Sequence, residues 1–278
     1  MSVATFAIVL AAAVLHASWN AMLKVTPDKT ATIGLISLGH VTVGAALLFI
    51  APLPAAASWP YLAASTLIHY AYYFLLARSY RIGDLSQVYP IARGIVPVLV
   101  ALGAQASVGE TLPLQVWIGV LTVSAGVMLL SAGAIFGHAS RAVIGIAVTT
   151  GIFIAAYSIA DGLGVRQANS ALGYIAWLFV LEAPVVLYVG YLRRKSVQQI
   201  PRRALLLGVF GGMISALAYG LVIYAKEFSA LGIVSALRET SVLFASMIGV
   251  ILLGERPWRS RLLAALVVFA GVIIIALS

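Results

Sequence analysis

The chain has no cysteine, which excludes a disulfide framework and any thiolate metal site. It is also poor in charge. Only 9% of its 278 residues are Asp, Glu, Lys or Arg, 63% are hydrophobic, and the mean hydropathy is +1.08. Soluble domains run nearer ~25% charged and ~45–50% apolar, so a chain of this composition reads as an integral membrane protein. It contains no HExxH, no spaced His or Cys ligands, no Ser/His/Asp set in a recognisable context and no GxxxxGK[ST] loop. Catalytic residues, a metal site and a cofactor are therefore not expected. The formal charge of +9 would point to nucleic acid in a soluble protein. Here the cations gather in the connections between apolar runs, where they set orientation, and no nucleic-acid partner is expected.

What the chain does have is a succession of apolar runs. A membrane span needs about 20 apolar residues, and segmenting on that basis predicts ten, near 3–23, 31–51, 59–79, 86–107, 114–133, 141–161, 171–191, 204–225, 231–253 and 259–277. Turn signals separate them, including Thr26-Pro27-Asp28, Pro52-Leu53-Pro54, Gly83-Asp84, Gly109-Glu110, Gly137-His138 and Gly254-Glu255-Arg256-Pro257. Connections this short leave no room for a soluble domain. The opening MSVATFAIVLAAAVLHASWN lacks a positively charged start and stays apolar to about Lys24, so it reads as a first span and not as a cleaved leader. Connections after odd-numbered spans carry 13 of the 17 Lys and Arg residues, and those after even-numbered spans carry only Arg166 and Lys226. The positive-inside rule then puts the odd connections in the cytoplasm and both termini outside.

The chain also repeats itself. A shift of 145 residues brings Arg93 onto Arg238, Gly109-Glu110 onto Gly254-Glu255, and LTVSAGV at 121–127 onto LVVFAGV at 266–272. With five spans per half, the second half starts on the opposite side of the membrane from the first. The expected fold is thus an all-α membrane protein of ten transmembrane helices, arranged as two inverted five-helix repeats at residues 1–137 and 138–278.

In these features the chain resembles the EamA-type transporters of the drug/metabolite transporter superfamily. The resemblance rests on the ten-span duplicated plan, on SVLFASMIGVILLGERPWRSRLLAALVVFAGVIII, and on its first-half counterpart IVPVLVALGAQASVGETLPLQVWIGVLTVSAGVMLL. It implies a secondary transporter of small metabolites, amino acids among them, often proton-linked, with a central cavity between the halves. A bacterial cytoplasmic membrane is the expected location. Export of an amino acid, aromatic ones included, is the leading expectation. An organophosphate or phosphonate solute is the main alternative, and a non-transporting sensor or scaffold a more remote one. The expected partners are a small-molecule substrate, the lipid bilayer and protons. The oligomeric state stays open, and the plan is compatible with a monomer.

Several residues stand out as candidates. Arg93 and Arg238 each lie seven residues into a predicted span, roughly 10 Å into a core about 30 Å thick. A charge there is expensive, and a guanidinium fork suits a carboxylate or phosphate. The alternative for either arginine is an ion pair with Glu239, Glu182 or Asp161. Glu182, Glu239 and His69 are the candidates for proton coupling; the competing readings are neutralisation of Glu182 by an arginine and a hydrogen-bonded packing role for His69. Trp19, Tyr73, Tyr89, Tyr157 and Tyr219 are expected to line the cavity, whereas Trp59, Tyr61, Tyr188, Tyr191 and Trp258 suit interfacial belts. The row Gly208, Gly212, Ala216 and Gly220 reads as a helix-packing face. Pro90, Pro97 and Pro184 are expected to bend spans. The Gly-Glu pairs at 109 and 254 are expected to turn the chain, with the carboxylate meeting amides at the next helix start.

Overall fold

The computed structural model describes residues 1–22, 28–82, 85–130, 140–248 and 258–278. The turn signals at 83–84, 137–138 and 254–257 lie outside these residues, as do Thr26 and Pro27 of the first one. The described regular elements are helical: α1 (Val3–Met22), α2 (Lys29–Leu47), α3 (Trp59–Ile82), α4 (Leu85–Val108), α5 (Leu114–Leu129), α6 (Arg141–Arg166), α7 (Ala171–Val180), α8 (Ala183–Leu192), α9 (Arg194–Gln199), α10 (Arg202–Phe228), α11 (Leu231–Arg238), α12 (Ser241–Met247) and α13 (Trp258–Ala276), with a short 3-10 turn at Ala56–Ser58. Among the described residues, six stretches are long and apolar enough to cross a membrane: 3–20, 29–47, 88–108, 141–166, 171–192 and 202–228. Two more apolar helices, at 114–129 and 260–276, are shorter. Large apolar side chains such as Leu67, Phe74, Leu114, Leu187 and Leu206 face outward, as a helical protein surrounded by lipid requires.

Each predicted apolar segment coincides with one helix or with a broken pair, and the breaks are informative. The seventh segment divides into α7 and α8 at Leu181-Glu182. Pro184, at the start of α8, has no amide proton, and its ring would clash with the carbonyl four residues back. The Val185 amide turns to the Glu182 carbonyl at 2.9 Å, which leaves the Leu181 carbonyl to accept the Tyr70 hydroxyl at 2.5 Å. The ninth segment divides into α11 and α12 at Glu239-Thr240 with no proline present. There the amides of Glu239 and Thr240 bond three residues back, to Ala236 and Leu237, and the Thr240 hydroxyl donates to the Leu237 carbonyl at 2.7 Å. Pro90 and Pro97, expected to bend the fourth segment, lie inside an uninterrupted α4.

Small residues set the packing. α3 and α4 pack on α6, α1 and α2 pack on α10, and α5 packs on α13. A Cβ added to Gly39 of α2 would come within 2.5 Å of the Gly212 carbonyl carbon on α10, and one added to Gly212 within 2.6 Å of the Ile36 oxygen. The glycine row on α10 thus brings two backbones together. Similarly, a Cβ on Gly126 of α5 would meet the Val268 nitrogen at 2.8 Å, and one on Gly271 of α13 the Val123 nitrogen at 2.8 Å.

At the start of α2, Asp28 accepts the amides of Thr30 and Ala31 at 2.9 and 3.0 Å. Burial pushes its carboxyl up, but the Ala31 amide, the Ser196 hydroxyl and Arg193 outweigh burial and hold it below the ordinary carboxylate range.

Candidate functional site

Seven helices and the α7–α8 break surround a central cavity of about 190 Å³. Trp19 comes from α1, His69 and Tyr73 from α3, Tyr89 and Arg93 from α4, Tyr157 from α6, Tyr219 from α10, Arg238 from α11, and Glu182 from the break. Glu239 is the one candidate from the sequence outside this lining; it stands behind Arg93. The lining continues to Asn20, Lys29 and Ser79, next to the connections that follow α1 and α3. A second cavity, bordered by Tyr70, Phe74, Pro184 and Tyr188, shares Tyr73 with the first.

The two arginines differ. Arg93 donates from Nε to Glu239 Oε2 at 3.2 Å, and its Nη2 lies 2.8 Å from Oε1. Both residues are buried, at 4% and 1% exposure. This is the internal ion pair that sequence reasoning held as one alternative. Arg238, although adjacent to Glu239, points elsewhere: its guanidinium lies over the Tyr219 ring, 5.2 Å from the centroid. Among the described residues no carboxylate comes within ion-pair distance of it. One guanidinium at this cavity is paired with a carboxylate; the other meets the Tyr157 hydroxyl and the Tyr219 ring instead.

Glu182 meets a histidine, not the arginine that sequence reasoning held as the alternative. His40 Nδ1 lies 2.9 Å from Glu182 Oε1, and its Nε2 lies 3.1 Å from the Ser215 hydroxyl. An imidazolium would donate at both nitrogens; a neutral ring with its proton on Nδ1 would donate to the carboxylate and accept from Ser215. The Ser37 and Tyr73 hydroxyls neighbour the Glu182 carboxylate as well, and the buried Trp19 Nε1 finds no acceptor among the described residues. His69 has its Nδ1 2.9 Å from the Ser65 carbonyl and stacks on Tyr157, with centroids 4.0 Å apart. His16, which sequence reasoning passed over, contacts the Tyr89 hydroxyl at 3.2 Å.

Sequence reasoning also misplaced Lys226. Assigned to a connection, it lies in the last turn of α10 with no exposed surface. Its ammonium donates to the Ser158 carbonyl at 2.9 Å and hydroxyl at 2.7 Å. Asp161, equally buried, accepts from the hydroxyls of Tyr174 and Tyr219. Arg166, the other presumed loop cation, ends α6 and donates to the carbonyls of Lys226 and Ser229 at 2.9 and 2.8 Å. It also pairs with Glu110 at 2.7 Å. Glu110 does not cap the helix that follows it. Instead it accepts the Leu231 amide at 2.9 Å, 121 residues along the chain, after Gly109 turns the backbone at φ +68°. A long helix ending on a cation was the available signal for Lys226, because such an end can fold back under neighbouring carbonyls.

Among known proteins, residues 141–277 match the EamA-like transporter family. No curated protein matches the chain. A solved crystal structure shares its fold over 100% of this chain and 98% of its own, with a TM-score of 0.77 at 20% identity.

Proposed function

From the premise that residues 141–277 form an EamA-like domain of the drug/metabolite transporter superfamily, a family of small-solute transporters and not of enzymes, we propose that the protein moves a small carboxylate-bearing metabolite, an amino acid in the first instance, across the cytoplasmic membrane by alternating access. The observation that carries this reading is Arg238, a guanidinium on an aromatic-walled cavity with no carboxylate partner among the described residues. A guanidinium fork binds a carboxylate with two parallel, charge-assisted hydrogen bonds. At about 190 Å³ the cavity is smaller than the ~300–1,000 Å³ of pockets for drug-sized ligands, which favours a small solute. Commitment of Arg93 to Glu239 takes one member from the symmetry-related pair of arginines that could hold a phosphate dianion, and so weighs toward a monoanionic group. Trp19, Tyr73, Tyr89, Tyr157 and Tyr219 supply the apolar wall in this reading. Of the titratable candidates, Glu239 is held by Arg93 and His69 by Ser65, which leaves Glu182 with His40 as the pair on the cavity.

The same reading takes the fold as ten spans in two inverted repeats, 1–137 and 138–278. Two observations support it. Gly126 rests on Val268, and Gly271 rests on Val123; each contact is the other shifted by 145. Likewise α3 packs on α6 and α10 on α1, and each pair is the image of the other under the repeat. Enclosure of Arg166 and Lys226 in hydrogen bonds leaves the even-numbered connections with less free positive charge, in favour of both termini outside.

Counterflow in liposomes tests the reading with labelled phenylalanine against glycerol phosphate. Wild-type protein is expected to exchange phenylalanine, Arg238→Ala to lose exchange by at least about tenfold, and Arg238→Lys to keep part of it. Wild-type rates in both variants, with normal folding, would remove the clamp. Exchange of glycerol phosphate alone would replace the amino acid while keeping the transporter.

A further inference from the structure

The second cavity, at about 470 Å³, is larger than the central one, and solute transport leaves it unexplained. α3 and α8 supply most of its lining, and α2 adds Thr30 and Ile33. α8 buries only Val189, which seats on α2, where a Cβ added to Gly34 would come within 2.8 Å of it. The rest of α8 is left to face outward with α3. Phe74 is 67% exposed and Tyr188 66%, so the cavity is a groove open to the lipid side of the molecule.

The groove changes character along its length. Its inner end lies at the α7–α8 break, where Tyr70 is tied to the Leu181 carbonyl. From there α3 runs from Tyr70 to Arg78, and α8 from Pro184 to Arg193, each a rise of roughly 12–14 Å. That is about half of a hydrocarbon core ~30 Å thick, the depth of one leaflet. Both arginines border the groove and are exposed. Among the described residues no carboxylate lies within ion-pair distance of Arg78, and Arg193 Nε meets Asp28 only at 3.8 Å. Beyond Arg193 the chain is strongly basic. Residues 193–203 hold Arg193, Arg194, Lys195, Arg202 and Arg203 with no Asp or Glu, and α9, within them, buries no residue. In the ten-span arrangement this end faces the cytoplasm, the side on which anionic lipids collect and attract basic clusters next to a span.

We propose that this groove binds an anionic phospholipid of the cytoplasmic leaflet, with its phosphate at Arg78 and Arg193 and one acyl chain laid along Phe74 and Tyr188 toward Pro184. The occupant follows from the two ends together. An apolar groove one leaflet deep suits an acyl chain, and a soluble anion would leave it unfilled. Paired guanidinium groups at its mouth suit a phosphate. A zwitterionic lipid offers the same phosphate but brings a cation against the basic stretch, whereas a headgroup with net negative charge does not. The assignment goes beyond solute transport and does not depend on which solute is carried. Tyr73 and Ile33 border both cavities, so these two side chains separate the acyl chain from the central cavity.

Native mass spectrometry of the detergent-purified protein tests this, with dioleoyl phosphatidylglycerol and dioleoyl phosphatidylcholine added in equal amounts and glycerol phosphate added separately. Wild-type protein is expected to retain phosphatidylglycerol at least about tenfold better than phosphatidylcholine. Arg78→Gln with Arg193→Gln is expected to erase that preference. Arg202→Gln with Arg203→Gln, which removes the same charge from the same side outside the groove, is expected to keep most of it. Ala77→Trp, which fills the groove while both arginines remain, is expected to lower retention of both lipids. Equal retention of the two lipids by wild-type protein would overturn the proposal without any variant. Equal loss of preference in the two arginine pairs would reduce it to diffuse surface charge, and undiminished lipid retention in Ala77→Trp would remove the acyl chain from the groove. Glycerol phosphate binding as well as phosphatidylglycerol would overturn the lipid in favour of a plain anion site. A protein dimer in place of lipid adducts would overturn it in favour of a second copy of the chain.

Discussion

The two helix breaks invite comparison, because each puts a glutamate near the centre of the molecule and each disposes of it differently. At the first, proline forces the break, and Glu182 meets His40 through one oxygen with the Ser37 and Tyr73 hydroxyls close by. At the second, a threonine hydroxyl and two tightened amide bonds make the turn, and Glu239 is gripped through both oxygens by Arg93. A permanently charged partner fixes its carboxylate as an ion, whereas a histidine partner leaves the charge adjustable. The ninth segment therefore holds its glutamate in an ion pair with a permanently charged partner, and the seventh holds one whose partner is itself titratable.

Arg93→Ala should break this contrast most severely. It strands Glu239 at 1% exposure, and removing one partner of a buried pair costs about 3–5 kcal/mol, which should appear as a large drop in melting temperature in detergent. Replacing both Arg93 and Glu239 with methionine should recover most of that loss, since apolar replacement of a buried pair is often neutral. His40→Ala should cost less, about 1–3 kcal/mol for an unsatisfied buried group. Its cost should also shrink as the pH falls, because Glu182, unlike Glu239 facing an arginine, can take up a proton and become neutral; a penalty equal at all pH values would abolish the distinction between the breaks. The smallest pair concerns the freed carbonyls. Tyr70→Phe should cost about 1 kcal/mol by removing the partner of the Leu181 oxygen. Thr240→Val should cost less, since the Leu237 oxygen keeps the Thr240 amide at 3.0 Å. Reversal of that order in thermal melts would count against the hydrogen-bond account of both turns.

Much of this arrangement was legible in the sequence and some was not, for identifiable reasons. Apolar length marked the helices because lipid demands it. The 145-residue register exposed Arg93 and Arg238 as a related pair, and aromatic density marked Trp19, Tyr73, Tyr89, Tyr157 and Tyr219, all of which border one cavity. Pro184 announced the first break. The second break had no such signal, because Thr240 makes it with a hydroxyl that reads as an ordinary helix residue. Partner choice was hidden as well. Arg93 finds Glu239 across 146 residues and His40 finds Glu182 across 142, and periodicity carries no information about which of several buried charges will meet. Lys226 was assigned to a connection because hydropathy cannot distinguish a cation at a helix end that reaches water from one that folds under its neighbours.

Glu110 ties the N-terminal half to the start of α11, while Arg166 gathers the end of α6, the end of α10 and Glu110 into one knot. To part α6 from α10 at that end, two hydrogen bonds from a single guanidinium must yield together, while Glu110, paired with the same guanidinium, keeps its own hold on the Leu231 amide. Opening at that face should therefore behave as a latch with a threshold and not as a spring that yields by degrees. Because α11 also carries Arg238, the latch and the proposed clamp sit at opposite ends of one eight-residue helix.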